Sequence, residues 1–482
     1  MSSAAPAFPL PDYGALRIPA AAFELLFYLA AVAAATLCFL AGWLPVNGAV
    51  ILTVILLTTL IVMSWINLGQ GRHPVFLFLC TLTLFQGGRL LAYCVGDISS
   101  PLTVVLMVDR PFSLTRDEAG IVLLCIALSA VCVYAPCRLM YRPFPPPRVG
   151  QFDRYLPYLY LVFFCSVPFL VIKNYLYLRY VQQHGGYTAF FNDYAGLTAN
   201  VPVIVRVLSI VALPVFTVLF VLETRKKYLW LISLVYFAGA FLYLLTGSRM
   251  DTFSLTLTLW YVARVKSSKA SRILVIAIVS VALILVSNII QLIRNDESDE
   301  ITNRAPAFVT FVREQGISIN VTEVAVKYRE RFSPHIAQYI VREAQSKFVS
   351  NDVTNYKWGE QWSLDVSVLL NANLFQFGLG TGGDYLAEEY IFGGLFGVVV
   401  LSLVVGLGLR QLQFLSRNST TLLIVAFILP DIVMLPRGGL FVWISTLAKV
   451  SLVAVPVVSG WYLYLLLCGI AGPPRPHLAS AE

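Results

Sequence analysis

The chain has 482 residues, of which 58% are hydrophobic and only 12% are charged, and its formal net charge is +8. A soluble protein is roughly a quarter charged, so this composition excludes a soluble globular protein and indicates a chain embedded in a bilayer. The positive charges lie in short loops between apolar runs, which is the usual pattern of a membrane protein and does not indicate nucleic-acid binding. The eight cysteines all fall in or beside apolar runs and show no metal-binding spacing, which argues against a disulfide framework.

Apolar runs of about 20 residues predict membrane-spanning helices. In chain order they are residues 20–44, 47–66, 74–96, 119–139, 156–180, 202–222, 228–246, 250–264, 273–293, 384–409, 419–436 and 446–470. The eighth run is short, and a Leu-Pro-Arg-Gly-Gly sequence at residues 435–439 breaks the last apolar region. The predicted fold is therefore an all-α polytopic membrane protein with about 11–12 transmembrane helices.

A long polar segment separates the ninth predicted helix from the tenth and divides the chain into three regions. Residues 1–293 carry helices one to nine, residues 294–383 form one large late loop, and residues 384–482 carry the last helices. Within the loop, Ser333 and Pro334 are a typical helix start. Apolar residues then recur every four positions from Ile336, with Glu343 off that face. We expect a short amphipathic helix here and a second one over residues 318–332.

Basic residues predict the orientation of the chain. They cluster after the fourth, sixth, eighth and tenth predicted helices, all on one side of the membrane by parity, as Arg138, Arg142, Arg148, Arg154, Arg225, Lys226, Lys227, Arg264, Lys266, Lys269, Arg272, Arg410 and Arg417. Because basic loops stay in the cytoplasm, both termini are predicted to be cytoplasmic. The large loop is predicted to lie on the outer side.

Arginines at membrane depth are the first candidate functional residues, because they are costly in lipid and their planar guanidinium groups suit phosphate. Arg249 lies in a Gly-Ser-Arg turn, and Arg437 lies in the sequence that breaks the last apolar region. Arg206 and Arg89 lie inside apolar runs, where neutralising a buried acid is an equal alternative. Arg313 lies in the large loop, where a solvated charge is the alternative.

Acidic and aromatic residues on the outer side complete the candidate set. Glu388 and Glu389 open the tenth helix, where the helix dipole alone would favour an acid; because they are adjacent, they point to different faces. His335 is a candidate proton acceptor, and Glu314 follows Arg313. Aromatic side chains that could stack on sugars, or simply mark the membrane boundary, include Tyr187, Tyr194, Tyr356 and Trp358. The acidic run at residues 296–300 lacks metal-ligand spacing and predicts no metal site.

Short motifs give the chain a family resemblance. They are the Gly247-Ser248-Arg249 turn, the late large loop, Gly378-Leu-Gly380 followed by Ala387-Glu388-Glu389, and Pro436-Arg437-Gly438. In this layout the chain resembles the Wzy-type polymerases, which join O-antigen or related oligosaccharide repeat units, and it is similar to the branch of the enterobacterial common antigen polymerase. Where that family often has Ser, this chain has Asp384.

The resemblance implies a GT-C-like, metal-independent membrane glycosyltransferase without a cofactor, in the bacterial inner membrane. It implies transfer of a glycan from undecaprenyl pyrophosphate to a sugar hydroxyl of a lipid-linked repeat unit, releasing undecaprenyl pyrophosphate. Arg249, Arg437 and Arg313 are then candidates to bind pyrophosphate, and Glu388, Glu389, Glu314 and His335 to act as the base.

Arg206 and the aromatic residues named above are candidates to bind the glycan. The expected partners are the lipid-linked oligosaccharides, the bilayer and a chain-length regulator protein, with no nucleic acid. Two alternatives stay open at this point: a ligase that transfers finished glycan to lipid A core, and a lipid-linked oligosaccharide flippase or transporter.

Overall fold

The computed structural model describes residues 14–98, 100–102, 113–147, 155–184, 194–246, 250–267, 307–345, 356–370, 372 and 382–452. The helices in this part of the chain are α1 (Gly14–Leu40), α2 (Val46–Asn67), α3 (Pro74–Phe85), α4 (Gly88–Cys94), α5 (Arg116–Leu139), α6 (Leu156–Gln183), α7 (Tyr194–Ala199), α8 (Val203–Leu222), α9 (Lys226–Leu244), α10 (Met250–Lys266), α11 (Ala307–Gln315), α12 (Ile319–Phe332), α13 (Ile336–Ala344), α14 (Trp362–Leu370), α15 (Tyr385–Leu415), α16 (Ser419–Val433) and α17 (Val442–Leu452). Short 3-10 turns at Gly316–Ser318, Ser333–His335 and Leu435–Arg437 join some of them.

Eight of these helices are long and apolar enough to cross a membrane, or nine if α3 and α4 form one bent span. The predicted all-α polytopic membrane fold is therefore confirmed. The eighth predicted span appears as α10, which has only 17 residues. The predicted span at 273–293 lies outside the described residues, as does most of the one at 446–470.

The third predicted span is not one straight helix. It is bent by 62° between α3 and α4, and the polar-loop helix α11 reaches into the bend. Gly88 makes this contact possible, because a Cβ added there would lie only 3.0 Å from the Cα of Gly316. The single helix predicted over 74–96 is wrong in this detail, since hydropathy does not register a close backbone contact with a distant segment.

The two amphipathic helices predicted in the large loop are present as α12 and α13. They do not stand apart from the bundle. Ile319 and Val326 of α12 share a hydrophobic core with Tyr385 of α15, and Val324 packs with Ile391 in a second one. The loop thus covers the outer end of α15, while the predicted boundaries of the three regions stay a prediction.

Helices α5 and α15 pack along each other in the centre of the bundle. The hydroxyl of Ser129 on α5 lies 2.7 Å from the Tyr385 hydroxyl and 2.6 Å from that of Ser402, both on α15. Such hydrogen bonds between hydroxyl groups hold helices together where water is absent. This contact fixes the outer end of α15, where the candidate site lies.

The described basic residues of these clusters lie at the opposite end of the bundle, in agreement with helix parity. Arg138 at the end of α5 pairs with Glu24 of α1 at 2.9 Å. Arg264 at the end of α10 donates to the Gln70 carbonyl at 2.7 Å. We call this the inner end of the bundle and the opposite end the outer end; the assignment of the inner end to the cytoplasm stays a prediction.

Candidate functional site

The outer end of α15 is tied to three other segments by buried polar side chains. Asp384 caps the helix by accepting from the Leu386 N–H at 3.1 Å, and the Thr322 hydroxyl of α12 donates to its other oxygen. Gln86, at the bend between α3 and α4, lies 3.3 Å from that hydroxyl and donates to the Pro436 carbonyl at 3.1 Å. Burial raises the pKa of Asp384 to about 7 despite these hydrogen bonds.

Two carboxyl groups, those of the buried Glu388 and the half-buried Glu343, meet on the turn that follows Pro436. Glu388 accepts from the Leu440 N–H at 2.8 Å, and Glu343 of α13 accepts from the Phe441 N–H at 3.1 Å. The two carboxyl groups lie against each other, and burial raises the pKa of Glu343. Gly439 is required here, because a Cβ at that position would collide with the Glu343 carboxylate.

Glu388 keeps one oxygen available. The residue is 2% exposed, and apart from the Glu343 carboxyl group beside it, its Oε1 meets no hydrogen-bond donor among the described residues. A buried acceptor without a donor is uncommon in native structures and needs an explanation. In the described part of the chain, no group of three or more His, Cys, Asp or Glu side chains is placed to hold a metal ion.

Arg437 lies on the same turn as the amides that bind the two carboxylates. Its guanidinium donates to Gln315 at the end of α11 at 2.6 Å and lies 5.5 Å from the centre of the Phe85 ring. Phe85 in turn contacts Phe253 edge-on, with ring centres 6.4 Å apart. Phe253 of α10 is thus one ring away from the Arg437 guanidinium.

Arg89 and Glu323 are two further buried charges beside this site. Arg89 on α4 is 5% exposed and interacts electrostatically with both Glu323 and Arg313. Glu323 is fully buried on α12, and neither of its oxygens accepts a hydrogen bond from the described residues. Burial raises the pKa of Glu323 to about 8, with Arg89 opposing the shift. Arg313 itself pairs with Asp97 at 2.9 Å.

The sequence reasoning missed Glu323 and placed Glu343 off the apolar face of its helix. Tyr339 is the one buried residue of α13, and Glu343, four positions further on, is half-buried and accepts from the Phe441 N–H, so both lie on the face that packs on the protein. Glu323 lies between the buried Val321 and Val324. An acid on the buried stripe of an amphipathic helix is the signal that would have found both residues.

Glu389 points away from Glu388, as expected for adjacent helical positions. The Ser402 hydroxyl donates to its Oε2 at 2.7 Å, which joins Glu389 to the hydroxyl contacts between α5 and α15. Glu389 therefore faces the centre of the bundle rather than the turn after Pro436. Glu314 lies half-buried on α11, next to Arg313.

His335, Tyr356 and Trp358 belong to an aromatic cluster above the site. Tyr356 donates to Asp365 at 2.7 Å, and Trp358 stacks on Phe332 with ring centres 5.7 Å apart. The His335 ring lies against Gly359, where a Cβ would collide with it. Trp358 is 39% exposed and offers part of its surface to solvent.

The remaining candidates lie elsewhere or are not described. Arg206 is in the first turn of α8, beside Ile204 and Val207, which are exposed on the lipid-facing side of the helix. The backbone of Tyr194 begins α7, which packs on the outer part of α6 through Leu197. Tyr187 and Arg249 lie outside the described residues.

Fold and site together define a multi-pass, all-α membrane protein that gathers arginines and buried carboxyl groups at one end of its helix bundle. The profile of the family described as O-antigen polysaccharide polymerase Wzy matches residues 150–465. This is more than half of the chain, which therefore belongs to the Wzy family. No curated protein and no solved structure gave a significant match.

Membership of this family has direct consequences for function. The chain is a polysaccharide-polymerising glycosyltransferase of the bacterial inner membrane, and it joins lipid-linked oligosaccharide repeat units. The similarity to one particular branch stays a prediction. Gln86, Arg89 and Ser129 precede the matched region, so the candidate site also uses helices from the first third of the chain.

Proposed function

We propose that the chain transfers a growing glycan from undecaprenyl pyrophosphate to a terminal sugar hydroxyl of an acceptor repeat unit at the periplasmic face. The acceptor oxygen forms a bond to the anomeric carbon of the donor. The bond from that carbon to pyrophosphate breaks, and undecaprenyl pyrophosphate leaves. The observation that carries this proposal is the turn from Pro436 to Phe441, which presents Arg437 and is bound by the carboxylates of Glu388 and Glu343.

Glu388 is the base in this proposal. Its Oε2 is fixed by the Leu440 N–H, while Oε1 has no donor other than the Glu343 carboxyl group and is available to take the acceptor proton. Two carboxyl groups in contact do not readily ionise together, so in this proposal Glu343 is the protonated member of the pair when Glu388 acts as the base. A base needs hydrogen-bond reach to the hydroxyl, and Glu388 is placed before Glu389, Glu314 and His335 because its carboxylate binds the turn that carries Arg437.

Arginines stabilise the leaving group in this proposal. Negative charge gathers on the pyrophosphate as its bond to the sugar breaks, and preplaced donors in a site shielded from water stabilise such charge strongly. Arg437 is the central residue, Arg249 is proposed from its Gly-Ser-Arg turn in the sequence, and Arg313 adds charge from α11. With these cations present the transfer does not require a metal ion.

The glycan lies towards the aromatic cluster in this proposal. Trp358 provides a partly exposed ring for stacking on a sugar, and Tyr356 borders it. Tyr187, Tyr194 and Arg206 remain proposed contacts for the longer donor chain. A chain-length regulator protein is a proposed partner, and both chain termini are proposed to lie in the cytoplasm.

A chain-length assay in cells tests the reaction class. Glu388→Ala should leave surface glycan that is one repeat unit long, because a single unit can reach the acceptor core without polymerisation. Glu389→Ala is the matched variant and should retain longer chains. Loss of surface glycan with long lipid-linked polymer outside would identify a ligase instead, and single units trapped on the cytoplasmic face would identify a flippase.

Topology has its own test. Single cysteines introduced at positions 300 and 350 should react with an impermeant thiol reagent in intact spheroplasts, since the large loop is proposed to be periplasmic. Labelling that requires lysis would contradict this orientation.

A further inference from the structure

Helix α15 is interrupted just beyond Glu388. Gly394 has φ 61° and ψ −147°, a conformation that glycine adopts without the steric cost that other residues incur. Before this break, Leu386 and Ile391 are buried in the bundle, whereas Phe396 beyond it is 76% exposed. The break therefore lies where α15 passes from its covered outer end into its lipid-facing part, close to the membrane surface.

Arg329 of α12 lies directly at this break. Its Cζ would be 3.6 Å from a Cβ at Gly394, so the guanidinium occupies the space that the missing side chain leaves. The same group lies 5.6 Å from the centre of the Tyr390 ring. Its buried Nε has no hydrogen-bond partner among the described residues, and none of the ion pairs found there involves this residue.

Among the described residues, no carboxylate pairs with Arg329, whereas Arg313 of α11 pairs with Asp97. A guanidinium held at the membrane surface without a carboxylate is suited to a phosphate group, because its planar donors match phosphate oxygens and a cation in such a place is usually functional.

The position of Arg329 relative to the base indicates which phosphate it meets. Thr322 and Arg329 are seven residues apart on α12, whose regular helical backbone is broken at Tyr328, and they contact α15 at Asp384 and Gly394, on either side of Glu388. The donor's reacting carbon is bonded to its pyrophosphate, so the donor phosphate lies next to the base, on the Arg437 side. The acceptor's reacting hydroxyl is one repeat unit away from its own pyrophosphate, which must lie farther off.

We propose that Arg329, with the Tyr390 ring and the Gly394 break, binds the pyrophosphate of the acceptor lipid. This inference rests on the proposed function and adds a second phosphate position to it. Arg329 touches the acceptor far from its reacting hydroxyl, so it is a binding residue and not the base.

The test compares two acceptors with one donor in reconstituted full-length protein. The donor is a lipid-linked oligomer whose terminal hydroxyl is blocked, so that it cannot act as an acceptor. One acceptor is the repeat unit on a short polyprenyl pyrophosphate, and the other is the same unit as an allyl glycoside without phosphate. The variants are Arg329→Ala, the milder Arg329→Lys, and Arg331→Ala as the control. Arg331 is exposed on the same helix, with its guanidinium over Tyr328 at 5.4 Å.

Arg329→Ala should lower kcat/KM for the pyrophosphate acceptor by about 10- to 100-fold, the usual effect of losing hydrogen bonds to a charged group. The loss should appear in KM, while the glycoside acceptor should react as with the wild-type protein. The kcat/KM of Arg329→Lys for the pyrophosphate acceptor should lie between those of the wild type and Arg329→Ala. Arg331→Ala should match the wild type with both acceptors.

Three results would overturn this assignment. An equal loss with both acceptors would show that Arg329 only supports the bend, and no loss with either would remove it from the site. A loss seen in bilayers containing anionic phospholipid but absent in pure phosphatidylcholine would assign Arg329 to a phospholipid headgroup. Wild-type protein that forms no product from these lipids would instead refute the proposed function, which is a separate result.

Discussion

Carboxyl groups at the inner and outer ends of the helix bundle differ in how fully they are hydrogen-bonded. At the inner end, the Glu24 carboxylate receives hydrogen bonds from Asn67, Tyr134 and Arg138. At the outer end, Glu323 is fully buried without a donor and Glu388 has one oxygen with no donor other than the Glu343 carboxyl group. Buried polar groups stabilise a fold only when they are satisfied. The contrast indicates that the inner end serves stability, while the outer end is arranged for groups that a substrate brings.

The largest expected effect is on catalysis at the outer end. Glu388→Gln should lower the polymerisation rate in purified membranes by about 10²- to 10⁴-fold, the usual contribution of a general base. Folding should survive, because the amide oxygen can still accept from the Leu440 N–H. Glu24→Gln at the inner end is the matched control and should keep its rate per folded molecule. Similar polymerisation rates for Glu388→Gln and the wild type would contradict the assignment of Glu388 as the base.

The next largest effect separates two arginines of the outer end. Arg437→Lys should reduce kcat by about 10²-fold, the lower range for removing one preorganised donor, since lysine keeps the charge but not the planar fork. Arg313→Lys should lose less, because its guanidinium is already paired with Asp97. Rates measured with a fixed donor concentration decide this; equal losses would place both arginines in the same role.

A moderate effect on stability is expected at the inner end. Arg138→Met removes the 2.9 Å pair with Glu24 and should lower the free energy of unfolding by about 1.5–3 kcal/mol, as for a hydrogen bond to a charged group. Thermal unfolding in detergent measures the loss of stability, and the activity of the folded fraction is measured alongside it. A variant of normal stability but poor activity would reverse the proposed division between the two ends.

The last expected effect is a change in pH dependence, which is confined to one pH range. The pKa of Glu323 is about 8 in the folded protein against an ordinary value of 4.5, so the folded state holds a proton that the unfolded state releases between these values. Its contribution to stability is present below pH 4.5 and is lost as pH rises towards 8. Glu323→Gln mimics the protonated form, so its Tm should equal that of the wild type near pH 5 and exceed it near pH 8. Parallel Tm curves would contradict the shift.

Much of the fold and part of the candidate site follow from the sequence. Hydropathy predicts the spans because lipid demands long apolar helices. Two of the predicted site residues also lie together, since Glu388 binds the turn that carries Arg437. The bend at Gln86 and the roles of Glu323 and Glu343 do not follow in this way. Each depends on a partner that is distant in sequence, such as Pro436 for Gln86 and Phe441 for Glu343.

The hydrogen bonds between the first and last thirds of the chain also constrain biogenesis. Ser129 meets Tyr385 across 256 residues, and Gln86 meets Pro436 across 350. When α3 to α5 leave the ribosome, these side chains enter the bilayer without their partners, at a cost until α15 and the turn after it arrive. The early helices must therefore be kept in a polar setting, by the insertion machinery or by water, until synthesis is nearly complete. Stalling translation before α15 should leave these helices exposed to quality-control proteases. The enzyme therefore completes its packing only after α15 and the turn that follows it have been synthesised.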